Sequence, residues 1–263
     1  MIVGITEKYK LNRLNEIIAD IEKHVLYTVR NGKPLGKRDD IDLLVPSLTT
    51  SISLLRQIIL LCENGFPDGA LILARNIYEQ MIICAFIEET NDVKNHDELL
   101  EKYFQDAELI RLKFINEQAR RFMDEEDTIE TDRLIKEHQK RFKSSFGPYW
   151  WAKKKSFKDL SDEITKCEDS LYGLMNNMHM EYKMACIAIH PSSFGNKMNL
   201  GSDVVGVDMR ARDTGHEHAL FLAVASLISL VGYTYYYLQI DDKGVLDKLN
   251  GLGIYYMEML RQP

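Results

Sequence analysis

Arginines and histidines stand close together in the segment RARDTGHEH, which runs from Arg210 to His218. Such residues can cleave RNA without a metal. A histidine can move a proton to or from the 2′-hydroxyl or the leaving oxygen, and an arginine can stabilise charge on the phosphorane. We therefore interpret His218 as the acid/base and Arg212 as the phosphate clamp. The alternative is the start of a helix with solvated charges, in which the histidines are incidental.

A second group of reactive side chains consists of His179, Tyr182, Cys186 and His190, which are spaced three, four and four residues apart. This spacing places all four on one face of a helix. Structural zinc sites use closer ligands and usually four of them, so we predict no metal here. His190 is the third catalytic candidate, because the C-terminal end of a helix favours the protonated form of a histidine.

Arg75 and Glu79 are the only charged residues between positions 69 and 87, in a stretch that is otherwise mostly apolar. They are four residues apart and share a helix face, with Tyr78 beside them. We interpret Arg75, Tyr78 and Glu79, together with Tyr182, as a ligand-binding pocket inside a helical bundle. The alternative is a structural network that fixes the register of the helices, since a buried ion pair can serve either purpose.

The segment from Lys136 to Lys158 is strongly basic within an acidic chain, with eight Lys or Arg residues against one acid, Glu137. Basic groups that alternate with aromatic rings suit single-stranded nucleic acid, because the charges track phosphates and the rings stack on bases. The alternative is a connecting segment with aromatic residues in the core and solvated lysines. The nucleic-acid candidates are Lys140, Arg141, Lys143, Trp150, Trp151, Lys153, Lys154 and Lys155.

Apolar residues recur at helical spacing through most of the chain, as they do from Leu11 to Ile21. We predict an all-α fold, a single bundle of about eight helices over residues 1–263, with a central buried helix near 69–89. We predict that residues 192–209 form a long loop, with a pair of strands as the alternative for this segment. Residues 217–260 are predicted to form a C-terminal helical pair.

Composition and charge predict a soluble location. A net charge of −7 argues against unspecific coating of nucleic acid, which relies on neutralising phosphates. Four scattered cysteines and an N-terminus without an apolar signal region predict a cytoplasmic protein with reduced thiols. One stretch, Ala219 to Ile240, has 22 residues without a charge, which is long enough to span a membrane. Its serines, glycine, glutamine and tyrosines favour a buried core helix over a single-pass anchor.

The chain resembles a widespread bacterial helical family of unknown function through the pattern gxxxxAxxLxRxxYE, which is carried by Gly65, Ala70, Leu73, Arg75, Tyr78 and Glu79. A second segment, YKMACIAIHPS from Tyr182 to Ser192, is similar to a Tyr-x7-His-Pro-Ser segment of that family. The likeness covers about residues 43–192. It implies an all-helical core and carries no established activity.

More distantly, the helix with Arg75 and Glu79 is similar to one in the HEPN superfamily (higher eukaryotes and prokaryotes nucleotide-binding), many of whose members are dimeric RNases. The Arg-polar-x4-His motif of that superfamily matches Arg212, Asp213 and His218. The resemblance implies a metal-independent ribonuclease or RNA-binding effector of a bacterial defence or toxin type. RNA would be its partner, the chain would form a homo-oligomer, and no cofactor is expected. The alternative is a non-catalytic ligand-binding or dimerisation module built on the Arg/Tyr/Glu pocket.

Overall fold

The computed structural model describes residues 2–31, 38–89, 93–114, 122, 124–142, 149–152, 155–167, 172–189 and 214–261. Within these residues the chain forms ten α-helices and one short 3₁₀-helix, with no strand. The prediction of an all-α fold is confirmed, with ten helices where about eight were predicted. The predicted loop at 192–209 lies outside the described residues.

The helices follow one another along the chain with short connections where both neighbours are described. In chain order they are α1 (Ile2–Lys8), α2 (Leu11–Asn31), α3 (Arg38–Glu63), α4 (Pro67–Glu88), α5 (Val93–Phe114), α6 (Glu125–Phe142), the 3₁₀-helix (Trp150–Ala152), α7 (Phe157–Cys167), α8 (Tyr172–Ile189), α9 (His216–Leu238) and α10 (Lys243–Leu260).

Local side-chain chemistry explains where several of these helices begin. Before α7, the backbone N–H of Asp159 donates to Ser156 Oγ at 3.2 Å, and the N–H of Ser156 donates to Asp159 Oδ2 at 2.8 Å. This reciprocal arrangement satisfies two N–H groups that the first turn leaves without helical acceptors. Asp124 caps α6 in the simpler way, because its Oδ1 accepts the backbone N–H of Asp127 at 2.8 Å. Helix α4 begins at Pro67, where a missing N–H does no harm.

The chain divides into two compact units, a first unit of residues 1–85 and 165–263 and a second unit of residues 86–164. The predicted single domain over residues 1–263 stays a prediction, because two compact units can still unfold as one cooperative domain. Each unit has its own buried residues.

Helix α9 is the central element of the first unit, where it packs against α2, α3, α8 and α10. Its residues from Ala219 to Leu227 are buried without interruption, so this part of the helix is enclosed on every side. The sequence analysis placed the centre at α4 instead. The Arg75 and Glu79 side chains keep 25% and 23% of their surface exposed, so one face of α4 reaches solvent.

The second unit is organised around Trp151, which is 2% exposed. Helix α5 packs against α6 and against the 3₁₀-helix that carries this residue. The Trp151 ring makes edge contacts with Phe86, Tyr103 and Tyr149 at centroid distances of 6.1, 5.4 and 6.3 Å. Edge-to-face contacts of this kind add to the gain from burial, so the tryptophan is the core ring of this unit.

In the described part of the chain, three helices are long and apolar enough to cross a membrane by length and composition, namely Asp39–Glu63 in α3, Pro67–Glu88 in α4 and His216–Leu238 in α9. This finding points against a cytoplasmic protein, so the predicted cytoplasmic location is wrong. A charge-free run of sufficient length occurs only from Ala219 to Ile240. Helix α4 contains no such charge-free run, because Arg75 and Glu79 interrupt a stretch that is otherwise apolar enough to span a membrane.

Candidate functional site

Arg75, Glu79 and Tyr182 form a polar cluster between α4 and α8. The Nε–H of Arg75 donates to Glu79 Oε1 at 2.7 Å, and the hydroxyl of Tyr182 donates to the same oxygen at 3.2 Å. The central guanidinium carbon of Arg75 lies 5.5 Å from the centroid of the Tyr182 ring. One carboxylate oxygen therefore gathers a cation and a phenol from two helices, and the cation also contacts the ring of that phenol.

Aromatic rings surround the phenol of this cluster. Tyr78 is fully buried, and its ring centroid lies 5.1 Å from that of Tyr182. His179 lies one turn earlier on α8, and its ring stacks on Tyr182 at 6.1 Å with an interplanar angle of 20°. These contacts fix the orientation of the phenol, so its hydroxyl is held toward Glu79.

Burial and neighbouring charges shift the pKa values of Tyr182 and Arg75 in this cluster. Burial raises the pKa of Tyr182, and the nearby Glu79 carboxylate raises it further. Burial would lower the pKa of Arg75, but the hydrogen bond and the charge of Glu79 outweigh that effect and raise it. The cluster therefore carries a guanidinium cation and a neutral phenol that acts as a hydrogen-bond donor.

His218 is held by a carboxylate from the neighbouring helix. Its Nδ1 lies 2.8 Å from Oε2 of Glu181, which is on α8 directly before Tyr182. The His218 side chain is 42% exposed, whereas the Glu181 side chain is only 12% exposed. A partly exposed imidazole that is oriented by a buried carboxylate has the geometry required of a general acid or base.

The charge around His218 favours its protonated form. The hydrogen bond to Glu181 raises the pKa of His218, burial opposes this rise, and the charges of Glu181 and Glu217 add to it. The N-terminal end of α9 carries partial positive charge, which by itself disfavours an imidazolium. The carboxylate of Glu181 is therefore the main reason that the pKa of His218 is raised.

The other histidine of the first turn of α9 has a structural environment. His216 is fully buried, and its ring lies 5.2 Å from that of Tyr9 in an edge contact. The hydroxyl of Tyr9 donates to Glu217 Oε2 at 2.8 Å, which ties the start of α9 to the junction of α1 and α2. Of His216 and His218, only the second is accessible to a substrate.

Several predicted site residues lie outside the described residues. Arg212 and His190 are among them, so the predicted catalytic roles of both stay predictions. The same holds for three of the predicted nucleic-acid contacts and for the side chain of a fourth, which are Lys143, Lys153, Lys154 and Trp150.

The described part of the basic aromatic segment offers little of the surface that RNA binding needs. Trp151 is buried among aromatic rings, so it cannot stack on a base in this structure. Arg141 pairs with Glu101, and Lys155 pairs with Glu163, so each of these cations already has a carboxylate beside it. Lys140 is exposed. For Trp151 the structure corrects the sequence interpretation in favour of its alternative, because core rings and stacking rings look alike in sequence.

Sequence reasoning missed Glu181, whose carboxylate gives His218 its orientation and charge. One signal was present, since Glu181 is the only acidic residue in Tyr172–Ile189. A lone carboxylate in a mostly apolar helix usually meets a polar partner. The partner could not be read from the chain, because 37 residues separate Glu181 from His218.

The all-helical fold agrees with the resemblance found in the sequence. The polar cluster on α4 and α8 is built from Arg75, Glu79 and Tyr182, which belong to the two segments that carry this resemblance. The chain belongs to the DUF5677 family, a family of unknown function, whose sequence pattern matches residues 42–206. That range includes α4 and α8, and therefore both Arg75 and Tyr182. No curated protein and no solved structure matches the chain.

Replacing Tyr182 by phenylalanine is expected to lower the free energy of unfolding by about 1 kcal/mol, because the Glu79 carboxylate loses a donor in a partly buried site. Chemical denaturation followed by circular dichroism measures the change. Tyr27→Phe is the matched control, because Tyr27 is 69% exposed and its loss of a hydroxyl should cost little. Equal stability changes in the two variants would show that the phenol does not hold the cluster together.

Proposed function

We propose that this chain is a HEPN-like, metal-independent endoribonuclease in which His218 is the general acid and Arg212 holds the phosphate. The observation that carries the proposal is the 2.8 Å contact between His218 and Glu181, which raises the pKa of an imidazole that is 42% exposed. A charged, accessible and oriented histidine is the group that such a reaction needs for protonating a leaving oxygen.

In the proposed reaction the 2′-oxygen of a ribose attacks the adjacent phosphorus. The P–O2′ bond forms and the P–O5′ bond breaks, which leaves a 2′,3′-cyclic phosphate and a 5′-hydroxyl. His218 gives its proton to the departing 5′-oxygen, and the proton of the 2′-hydroxyl passes to water. His190, in the protonated form that a helix C-terminus favours, is proposed to stabilise the negative charge of the phosphorane. Arg212 stabilises the negative charge that develops on the phosphorane, so no metal ion is required.

The net charge of −7 opposes the approach of RNA, so the proposed binding relies on local basic residues. Lys140 remains a proposed contact to phosphate, together with Lys143, Lys153 and Lys154. A homo-oligomer is part of the proposal, because the HEPN-like RNases that the motif resembles act as dimers. Two copies would bring two sets of arginine and histidine to one substrate.

The test is cleavage of end-labelled single-stranded RNA by the full chain, kept in a mild detergent, with EDTA present throughout. We expect cutting that leaves 2′,3′-cyclic phosphate ends and that is lost in Arg212→Ala. Arg56→Ala is the matched control, because Arg56 pairs with Glu22 on the exposed surface and has no proposed role. No cutting by the unmodified chain, or cutting that survives Arg212→Ala, would overturn the proposal.

A second candidate function, a non-catalytic ligand-binding or dimerisation module, is favoured by the cluster at Arg75. The Arg75 side chain is 25% exposed, and its guanidinium donates to Glu79 through Nε. The N–H groups on the two outer nitrogens can therefore donate to an anion. This candidate predicts that calorimetry detects binding of inorganic phosphate and that Arg75→Lys weakens it, because lysine lacks the planar fork. It also predicts that the chain leaves RNA intact. Equal affinity of Arg75→Lys and the unmodified chain for phosphate would contradict this second candidate function.

A further inference from the structure

The second unit contains a cavity of about 190 Å³. It lies between the end of α4, helix α5, the 3₁₀-helix and α7. Its apolar lining comes from Phe86, Leu99 and Ala152, of which the last two are buried. The volume is many times the roughly 10–15 Å³ that one water molecule needs, and it is below the roughly 300–1,000 Å³ of sites for drug-sized ligands. A small metabolite is the size of ligand that it suits.

Two lysine–glutamate pairs line the same cavity. Lys102 pairs with Glu98 one turn earlier on α5, and Lys155 pairs with Glu163 on α7. The lysine side chains are only 23% and 27% exposed, so both ammonium groups are held at the cavity. The ammonium of Lys155 also lies 5.4 Å from the centroid of the Phe86 ring, a cation–π contact that fixes its position.

The charged groups of these pairs can form further hydrogen bonds with a ligand. An ammonium has three N–H donors, and one carboxylate oxygen uses only one of them. A carboxylate has two oxygens and about four sites for accepting hydrogen bonds. Lys102 and Lys155 can therefore each donate to a further anionic group while they remain paired. Glu163 can likewise accept from a further cation.

The balance of charge decides the class of ligand. Two ammonium groups and two carboxylates line the cavity, with the amide of Asn95 as a neutral addition. A ligand with one net charge would meet attraction from one pair member and repulsion from the other. A ligand with both charges can place its carboxylate beside the lysines and its ammonium beside the glutamates. The apolar lining then accepts an apolar side chain.

We propose that this cavity binds a small zwitterion with an apolar group, of the chemistry of free leucine or valine. The site shares no residue with the proposed ribonuclease site and does not depend on any ribonuclease activity, because all of its lining residues belong to the second unit. Lys155, which the sequence analysis assigned to nucleic acid, is a ligand-binding residue in this proposal.

Isothermal calorimetry of the full chain with L-leucine tests the proposal. Two analogues each lack one charge: 4-methylpentanoate has no ammonium, and 3-methylbutylamine has no carboxylate. We expect leucine to bind at least about 10-fold more tightly than either, since each analogue leaves one set of charges without its counterpart. Equal affinity for the three compounds, or no binding of leucine, would overturn the proposal.

Substitutions locate the binding. Lys155→Met and Lys102→Met are each expected to lower the affinity for leucine by at least about 10-fold, and circular dichroism checks that each variant folds. The matched control is Lys158→Met, because Lys158 makes an exposed pair with Asp162 and does not line the cavity. Leucine binding that is unchanged in both folded lysine variants, or that is lost equally in the control, would contradict the assignment.

Discussion

The rate of RNA cleavage is expected to fall by about 10²- to 10⁴-fold when His218 is replaced by alanine, the range that a positioned general acid contributes. The leaving 5′-oxygen must then take its proton from water, while the phosphate clamp is untouched. Steady-state kinetics on a short single-stranded RNA in EDTA measures the effect. The loss should appear mainly in kcat, since the proton is transferred only as the reaction proceeds.

His24→Ala is the matched control for this substitution. His24 is also partly exposed and also contacts a carboxylate, with its Nδ1 at 3.1 Å from Asp242 Oδ2, but it has no proposed catalytic role. The control should cleave RNA at the rate of the unmodified chain. Activity that persists in His218→Ala, or that falls equally in His24→Ala, would contradict the role of His218.

Replacing Phe221 by alanine is expected to lower the free energy of unfolding by about 3–5 kcal/mol, the cost of a large cavity at a buried aromatic site. Phe221 is fully buried in α9, the helix that packs against four others in the first unit. Denaturant unfolding followed by circular dichroism provides the measurement. A change of this size is a large fraction of the stability of an ordinary domain.

Ile254→Ala is the control for the core substitution, because Ile254 is 53% exposed on α10. Its effect should stay within about 0.5 kcal/mol. If Phe221→Ala cost no more than this control, α9 would not be enclosed by its neighbours, and the architecture described for the first unit would be incorrect.

The helical fold could be predicted because each helix repeats its apolar residues locally, as α2 does at Leu11, Leu14 and Ile18. The pairing of Arg75 with Glu79 follows from a four-residue spacing for the same reason. The contact between Glu181 and His218 could not be predicted, because it joins two helices and no local period records it. Trp151 could not be placed either, since its type suits both a core and a stacking surface.

The centre of the first unit and the location of the protein were misjudged for a shared physical reason. A helix that is apolar all round is compatible both with burial by other helices and with a lipid environment. Helices α4 and α9 both have this character, and composition alone does not rank them. Only packing shows that α9 has the more enclosed position.

The carboxylate of Glu181 also gives the proposed reaction a pH dependence. His218 holds its proton below its raised pKa, so an acid role persists to higher pH than an ordinary histidine near 6.5 would allow. The stabilisation from this pair is fully present below the pKa of the unfolded histidine and is lost as the pH rises through the folded one. Removing the Glu181 carboxylate lowers the pKa of His218, because the hydrogen bond and the charge of Glu181 are lost while burial and the N-terminal end of α9 still favour the neutral imidazole.

The most direct test of the proposed role of His218 is the pH profile of kcat for RNA cleavage by the unmodified chain and by Glu181→Gln. We predict that activity falls on the alkaline side in both, and that this fall begins at lower pH in the variant, because its imidazole loses its proton sooner. Superimposable profiles, or a fall that moves to higher pH in Glu181→Gln, would contradict an acid held by Glu181.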